Sequence, residues 1–148
     1  MIKSLENFSF PQKIPNKITI VGMMGVGKTT IGRLLAKKIE LPFFDSDHEI
    51  EKSLGKSIPN IFKNHGEPYF REYEKKIMKE LLNNNQYIIA TGGGSFIDVE
   101  MQNLINQNSL SIWINTNIDE ISKRINYIDQ RPLIDKQDKL ASLKYIFE

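Results

Sequence analysis

The chain has 148 residues, 40% of them hydrophobic and 26% charged, with a formal net charge of +2. One domain with a substantial core fits this length, and the composition is that of a globular protein. No cysteine is present, which excludes disulfides, thiolate nucleophiles and cysteine-based metal sites.

The distribution of apolar and charged residues disfavours two further classes of protein. No apolar run approaches the roughly 20 residues that a membrane-spanning helix needs, so we expect no membrane partner. The lysines are scattered among acidic residues, so the chain lacks the basic patch that binds nucleic acid. Residues 1–16 contain two prolines and no continuous apolar core, which predicts a flexible extension rather than a secretory signal. We expect a cytoplasmic protein, and a monomer.

The first predicted elements are a strand, a glycine-rich loop, a helix and a second strand. The β-branched run "KITIV" at 17–21 predicts a buried strand ending at Gly22, and "PFF" at 42–44 predicts the second strand. The helix is predicted to begin at Lys28 and to end before Pro42. Its apolar positions are expected to face the core: Ile31, Leu34, Leu35 and Ile39.

The remainder of the chain continues the alternation of helices and strands. Helices are predicted at 47–54, which Gly55 ends, at 58–64, and from Pro68 to the asparagines at 83–85. Strands at 86–90 and 110–114 are each followed by a helix, at 98–106 and 117–126, and Trp113 is expected in the core. This order predicts a parallel sheet covered on both faces, with ligands at the carboxyl ends of its strands.

The loop after the first strand, "GMMGVGKT" at 22–29, matches the phosphate-binding pattern G-x-x-x-x-G-K-[ST] between a strand and a helix. Its glycines let backbone N–H groups surround a phosphate, and the helix adds the positive end of its dipole. Lys28 would reach the β- and γ-phosphates, and the Thr29 hydroxyl would ligate Mg²⁺. The sequence therefore predicts a site for a nucleoside triphosphate with its magnesium ion.

Acidic residues follow the second strand as "DSD" at 45–47, whereas the strand at 86–90 ends in Thr91 without an acid. In an extended segment Asp45 and Asp47 would point the same way, toward the phosphates. The alternative is a helix N-cap, which Ser46 or Asp47 could provide.

An arginine and three glycines are the candidates for holding the group that accepts a phosphoryl. Arg71 could grip two carboxylate oxygens, or it could pair with Glu67, Glu72 or Glu74 instead. Gly92, Gly93 and Gly94 end a strand expected beside the phosphate loop, where the lack of side chains lets a ligand reach the backbone N–H groups. The alternative for these glycines is a flexible left-handed turn.

The polar segment "QRPLI" at 130–134 resembles part of a mobile lid, predicted over 127–137. Arg131 could close over the nucleotide and neutralise charge on the γ-phosphoryl group, although an ordinary solvated loop is equally consistent with this composition.

Taken in order, five segments of the chain resemble the shikimate kinase family: "GMMGVGKTTIGRLLA", "FFDSD", "IFKNHGEPYFRE", "ATGGG" and "QRPLI". The resemblance implies a three-layer α/β/α P-loop NTPase fold of the nucleoside-monophosphate-kinase-like group. It also implies transfer of the ATP γ-phosphate to the 3-hydroxyl of shikimate, in aromatic amino-acid biosynthesis, with Mg²⁺ as cofactor.

The resemblance assigns a role to each motif position. It implies that Asp45 assists Mg²⁺ through water, that Asp47 is the general base, and that Arg71 binds the shikimate carboxylate. Gly93 would present its N–H to shikimate between Gly92 and Gly94, Arg124 would pack on adenine, and Arg131 would be the lid arginine. The implied phosphate-binding residues are Gly25, Val26, Gly27, Lys28, Thr29 and Thr30.

One departure from the family and two alternatives accompany this interpretation. A last helical segment is predicted in "LASLKYIFE" at 140–148. Shikimate kinases continue beyond this helix with a second carboxylate-binding arginine, a further strand, an adenine-contacting loop and a terminal helix. We expect the kinase domain at 17–148 to lack them, which would weaken carboxylate binding about tenfold or more. The alternatives are another small-molecule kinase, such as a gluconate kinase, and a nucleotide-binding protein without turnover.

Overall fold

The structure, a computed structural model, describes residues 15–125, with side chains as far as Ile121. Most of the extension predicted at 1–16, and the whole lid predicted at 127–137, lie outside these residues. In the described part of the chain, helices alternate with strands in the order β1 Lys17–Val21, α1 Lys28–Ile39, β2 Phe43–Asp45, α2 Ser46–Leu54, α3 Ile58–Leu82, β3 Tyr87–Ala90, α4 Val99–Asn108, β4 Leu110–Trp113 and α5 Ile118–Ile125.

The strands form one parallel sheet in the order β2-β3-β1-β4. In the register of this sheet, Ile18 of β1 lies beside Ile88 of β3 and beside Leu110 of β4. Because the strands are parallel, their carboxyl ends all lie at the same end of the sheet. The phosphate loop follows β1, the "DSD" segment begins with the last residue of β2, and the glycine run follows β3, so all three meet at that end of the sheet.

Helices cover both faces of the sheet, as predicted. Alternate residues of β1 and β3 face α1, with Ile18, Ile20 and Ile88 packed against its Ala36. The residues between them, with Ile89 among them, face a larger core built with α2, α3 and α4. Burial on both faces explains why β3 has no charged residue and why β1 carries its one charged residue, Lys17, at its first position. The predicted three-layer α/β/α fold with a central parallel sheet is confirmed.

The predicted apolar face of α1 is wrong in part. Ile31 and Leu34 are 44% and 65% exposed, while Gly32 and Ala36 are buried. A Cβ placed on Gly32 would lie 2.5 Å from the ring of Phe43. Small residues therefore face the sheet because the helix packs too closely for larger ones, a preference that hydrophobic periodicity alone does not reveal.

The breaks predicted between the next helices are confirmed. Gly55 ends α2 with a left-handed backbone of φ 63° and ψ 22°. Within α3 the backbone is interrupted at Gly66, with φ 80° and ψ 173°, and the helix resumes through Pro68. The helix ends at Leu82, where the three asparagines begin. The second part of α3 thus starts where the sequence predicts, and it carries Arg71 in its first turns.

The prediction of a buried Trp113 is wrong, because its side chain is 68% exposed. Trp113 ends β4, an edge strand of the described sheet. Among the described strands β4 pairs with β1 alone, so its side chains are covered less completely than those of β1 and β3. None of the described helices is long and apolar enough to cross a membrane.

Candidate active site

The phosphate loop turns through two glycines with left-handed backbones, Gly25 with φ 78° and Gly27 with φ 97°. Gly22, at the start of the loop, is needed for both conformation and space, because its φ is 142° and a Cβ there would collide with the carbonyl oxygen of Ile114. Gly27 also precedes the first residue of α1, whose first turn contains no acidic side chain. The loop therefore presents the positive end of a helix dipole, and the first turn of the helix itself contributes no carboxylate to compete for it.

Lys28 lies beneath this loop and is only 8% exposed. Its Nζ donates to the carbonyl oxygens of Gly22 and Met23, each at 2.7 Å. A buried ammonium group needs such acceptors because the loss of water otherwise makes its charge costly. The lysine is thus held at the loop, where an anionic ligand would be a stronger partner than neutral carbonyl groups.

Thr29 and Asp45 connect α1 to the start of α2. The Thr29 hydroxyl donates to Oδ2 of Asp45 at 2.6 Å. Oδ1 of the same carboxylate caps α2 by accepting from the backbone N–H groups of Asp47 and His48, at 3.2 and 3.3 Å. The N-cap is therefore Asp45, not Ser46 or Asp47, and its second oxygen lies beside the threonine predicted to ligate Mg²⁺.

Asp45 and Asp47 face one cavity, but not for the reason that the sequence suggested. Ser46 and Asp47 belong to α2, so the segment is not extended beyond Asp45. The first turn of the helix brings Asp47 to the same cavity as Asp45.

This cavity, of about 370 Å³, brings the phosphate loop together with Asp45, Asp47 and Gly93 at the carboxyl ends of the strands. Arg71 and Gly94 do not line it but line a second cavity of about 310 Å³. Thr91 also lines the larger cavity and was not among the predicted site residues. Val26 instead points into a small core with Met24 and Ile121, so only its backbone can serve a ligand. The residues that line the larger cavity are Met24, Gly25, Gly27, Lys28, Thr29, Thr30, Asp45, Asp47, Thr91 and Gly93.

The three glycines after β3 are required by crowding. None of them has a positive φ, so the left-handed turn considered as an alternative is not formed. A Cβ on Gly92 would lie 2.7 Å from Oδ1 of Asp47 and 2.8 Å from Oε1 of Glu74. A Cβ on Gly93 would lie 2.8 Å from Met24, and one on Gly94 would lie 2.7 Å from Nη2 of Arg71. The run therefore lies against the phosphate loop, Asp47 and Arg71 at once.

Arg71 makes the ion pairs that the sequence offered as an alternative to substrate binding. Its Nη1 lies 2.8 Å from Oε2 of Glu74, and its Nε lies 3.2 Å from Oε1 of Glu67. Burial lowers the pKa of Arg71, but the charges and hydrogen bonds of Glu74 and Glu67 outweigh burial and raise it. The guanidinium group therefore stays protonated, and its plane is fixed beside Gly94.

Two further buried polar groups were not predicted as part of the site. Glu74 is 2% exposed, and its Oε1 accepts from the hydroxyl of Ser95 at 2.5 Å. The hydroxyl of Ser46 is fully buried and accepts from the N–H of Gly92 at 2.9 Å. The available signal was their position, since each lies within three residues of a predicted site residue.

The two remaining predicted nucleotide-binding arginines cannot be placed with the site. Arg124 belongs to α5, whose side chains beyond Ile121 are not described, and Arg131 lies outside the described residues. Between residues 15 and 121, no cluster of three or more His, Cys, Asp or Glu side chains could hold a metal ion.

Comparison with known proteins agrees with this geometry. The sequence model of the family described as "Shikimate kinase" matches residues 24–148. A shikimate kinase of Zymomonas mobilis is 44% identical over 88% of this chain and 74% of its own length. Curated relatives are matched over 58% to 74% of their lengths.

Solved structures give the same result. A shikimate kinase from Acinetobacter baumannii in complex with shikimate superposes with a TM-score of 0.87 at 34% identity, covering 92% of this chain and 75% of its own. A gluconokinase from Sinorhizobium meliloti has a TM-score of 0.57 at 13% identity, covering 93% and 77%, and so shares the fold alone. The family match and the relatives at 34% and 44% identity lead to one conclusion: the chain belongs to the shikimate kinase family.

Proposed function

We propose that this chain transfers the γ-phosphoryl group of ATP to the 3-hydroxyl of shikimate, giving ADP and shikimate 3-phosphate. The observation that carries the proposal is the single cavity in which the phosphate loop faces Asp47 and Gly93. A phosphoryl donor and an acceptor hydroxyl must approach each other closely for transfer, and one shared cavity provides for that approach.

The donor side is built from the loop residues Gly25 to Thr30. Their backbone N–H groups and the N-terminus of α1 favour the phosphates of ATP. Lys28 exchanges its contacts with the carbonyl groups of Gly22 and Met23 for the β- and γ-phosphates, because charge-assisted hydrogen bonds are stronger. Arg124, on adenine, and Arg131, closing from the lid, complete this side.

The hydroxyl of Thr29 and the carboxylate of Asp45 fit a magnesium ion. Both supply the oxygen ligands that Mg²⁺ prefers, and they lie 2.6 Å apart at the phosphate side of the cavity. A pair of residues suffices, because Mg²⁺ in kinases keeps several waters and binds the phosphates of the substrate. We assign Thr29 as a ligand and Asp45 as a ligand through water. When bound, Mg²⁺ neutralises charge on the β- and γ-phosphates.

Asp47 acts on the acceptor side as the general base. Its carboxylate lines the cavity opposite the phosphate loop and lies against Gly92. A carboxylate there orients the 3-hydroxyl and takes its proton as the oxygen attacks phosphorus. Asp47 thus contributes in two ways, by orienting the hydroxyl group and by taking its proton.

Arg71 and the glycine run bind the remainder of shikimate. The planar guanidinium group of Arg71, already oriented by Glu74, is suited to the shikimate carboxylate. The backbone N–H of Gly93 donates to shikimate, while the N–H of Gly92 is already bonded to Ser46. Gly92 and Gly94 supply the space in which Asp47 and Arg71 can approach the substrate.

The test is ADP release by the purified chain with Mg²⁺ and ATP, with and without shikimate. We expect release that requires shikimate and that follows Michaelis kinetics in both substrates. Gluconate serves as the control acceptor, because it tests the other small-molecule kinase considered from the sequence. Release that is equal with and without shikimate, or that occurs with gluconate instead, would contradict the proposal.

A further inference from the structure

Ser46 lies between the two aspartates of the site and makes a contact that neither of them can make. Its side chain is fully buried, and its hydroxyl oxygen accepts from the backbone N–H of Gly92 at 2.9 Å. The contact joins the first turn of α2 to the first residue of the glycine run, which are 46 positions apart in the sequence. It therefore holds together two segments that the sheet alone brings only into proximity.

The three residues of the "DSD" segment connect to three different parts of the site. Asp45 accepts from Thr29 on the donor side at 2.6 Å. Ser46 binds the glycine run, and Asp47 lines the cavity between the two. Because Ser46 and Asp47 are consecutive residues in one helical turn, whatever fixes Ser46 against Gly92 also fixes the Asp47 backbone relative to that run.

The space between these groups is narrow. A single Cβ on Gly92 would lie 2.7 Å from Oδ1 of Asp47, so the carboxylate and the glycine backbone are separated by little more than contact distance. At the far end of the run, Ser95 is held by Glu74 at 2.5 Å. Hydrogen bonds of buried hydroxyl groups therefore hold both ends of the run, at Gly92 and at Ser95. The bond at Gly92, next to Asp47, is made by Ser46.

We infer that Ser46 is a positioning residue, which sets the distance between the Asp47 carboxylate and the acceptor-binding glycine run through its hydrogen bond to Gly92. The inference rests on the proposed function, since it concerns how the shikimate hydroxyl is oriented. Ser46 is fully buried and does not line the cavity, so it acts through Gly92 and Asp47.

Removal of the hydroxyl has a defined consequence. Ser46→Ala leaves the Gly92 N–H without this acceptor in a buried position, which favours a shift of the run away from α2. We expect kcat/KM for shikimate to fall about tenfold, the equivalent of one lost hydrogen bond. KM for ATP should stay within about twofold, because the phosphate loop and Thr29 are not part of the contact.

The experiment compares the full chain with Ser46→Ala, Ser46→Thr and the control Ser109→Ala. Ser109 also uses a partly buried hydroxyl, in contact with Thr19 at 2.7 Å and Ile105 at 3.0 Å, but outside the cavity. Ser109→Ala therefore shows how loss of a partly buried hydroxyl group changes the stability of the fold without changing the cavity. Shikimate and ATP kinetics are recorded for each, together with hydrogen exchange of the Gly92 amide in the ligand-free protein.

The expected result is that kcat/KM for shikimate follows protection of the Gly92 amide across the variants. Ser46→Ala should lose both, Ser46→Thr should recover activity to the extent that it recovers protection, and Ser109→Ala should lose neither. Faster exchange at Gly92 with unchanged shikimate kinetics would overturn the inference, as would unchanged exchange in Ser46→Ala. A wild-type chain without shikimate-dependent release would contradict the proposed function instead, because the exchange measurement needs no substrate.

Discussion

The two glycine-rich segments of this molecule use the same residue for different physical reasons. In the phosphate loop, Gly25 and Gly27 have left-handed backbones, and a Cβ on Gly27 would meet no atom within 4 Å. In the run after β3, no glycine has a positive φ, yet a Cβ on any of the three would lie within 2.8 Å of another group. Gly25 and Gly27 of the first segment have the conformation that favours glycine, whereas the three glycines of the second segment are needed for space.

This difference follows from what each segment has to hold. In the proposed function, the phosphate loop binds through backbone N–H groups that must turn inward together, so the conformation of the loop determines binding. The run after β3 lies against Met24, Asp47 and Arg71, so its binding feature is the closeness of the side chains around it. Two kinds of substitution test this difference between the segments. One kind separates the need for a left-handed backbone from the need for space, and the other separates effects on ATP from effects on shikimate.

The largest effect is expected for Asp47→Asn. The amide keeps the size of the side chain but cannot take the proton, so phosphoryl transfer should fall at least about a hundredfold. Nucleotide affinity should stay nearly intact, because the phosphate loop is unchanged. Glu49→Gln, on the same helix with only a long contact to Lys52 at 3.9 Å, is the control. Near-normal turnover in Asp47→Asn would remove Asp47 from the catalytic role.

The next largest effects are expected when Gly27 and Gly93 are each replaced by asparagine and by alanine. These substitutions distinguish the need for a left-handed backbone from the need for space. Asparagine tolerates a left-handed backbone better than alanine does, so Gly27→Asn should be milder than Gly27→Ala. At Gly93 the order should reverse, since the larger side chain collides more severely with Met24. Each alanine variant should cost roughly 1–3 kcal/mol of unfolding free energy, measured by urea denaturation.

Gly55 supplies the matched control for the conformational half of this comparison. It has φ 63°, its Cβ position is open, and it lies at the end of α2, outside the cavity. Gly55→Asn should again be milder than Gly55→Ala, with shikimate-dependent turnover unchanged in both. If asparagine were milder than alanine at Gly93, as is expected at Gly55, the glycine run after β3 would not be limited by space, and this account would be contradicted.

A smaller effect, confined to the acceptor side, is expected for Arg71→Lys. Lysine keeps the charge but loses the planar pair of donors, so KM for shikimate should rise about tenfold while KM for ATP changes little. Arg33→Lys, on α1 where the guanidinium group stacks on Phe43 at 5.7 Å, is the control. Equal increases in both KM values would refute the assignment of Arg71 to the carboxylate.

The smallest effect is expected at Asp98, the N-cap residue of α4. A hydrogen bond from the Met101 backbone, with the contact to Lys75, holds the pKa of Asp98 below its ordinary value of 3.8. The carboxylate therefore stabilises the fold above pH 3.8, and this contribution is lost as the pH falls through the lowered pKa. Titration of Asp98 followed by NMR should give a midpoint below 3.8, and Asp98→Asn should weaken the acid dependence of stability. A midpoint at or above 3.8 would contradict this.

The sequence predicted the position and conformation of the phosphate loop, because these features are local. The spacing of Gly22, Gly27, Lys28 and Thr29 fixes a loop between a strand and a helix, and the loop forms there. The helix breaks at Gly55 and Gly66 were predicted for the same reason, since a left-handed backbone is a property of single residues.

Features that depend on packing between distant segments could not be read from the sequence. Leu34 and Trp113 were expected in the core and are exposed, because close helix packing at Gly32 and the sheet edge at β4 decide their burial. The contact of Ser95 with Glu74 joins residues 21 positions apart, and nothing in either local pattern signals it. Asp47 was placed correctly for the wrong reason, since a helical turn rather than an extended segment brings it to the cavity.

Separate titrations of the isotope-labelled chain with Mg²⁺–ADP and with shikimate, followed by amide chemical shifts, test the division between the two glycine segments most directly. The account predicts that Mg²⁺–ADP shifts the amides of residues 25–30 most strongly, and that shikimate shifts those of Gly93, Gly94 and Arg71. Shikimate that shifted the phosphate loop while leaving residues 92–94 unchanged would contradict it.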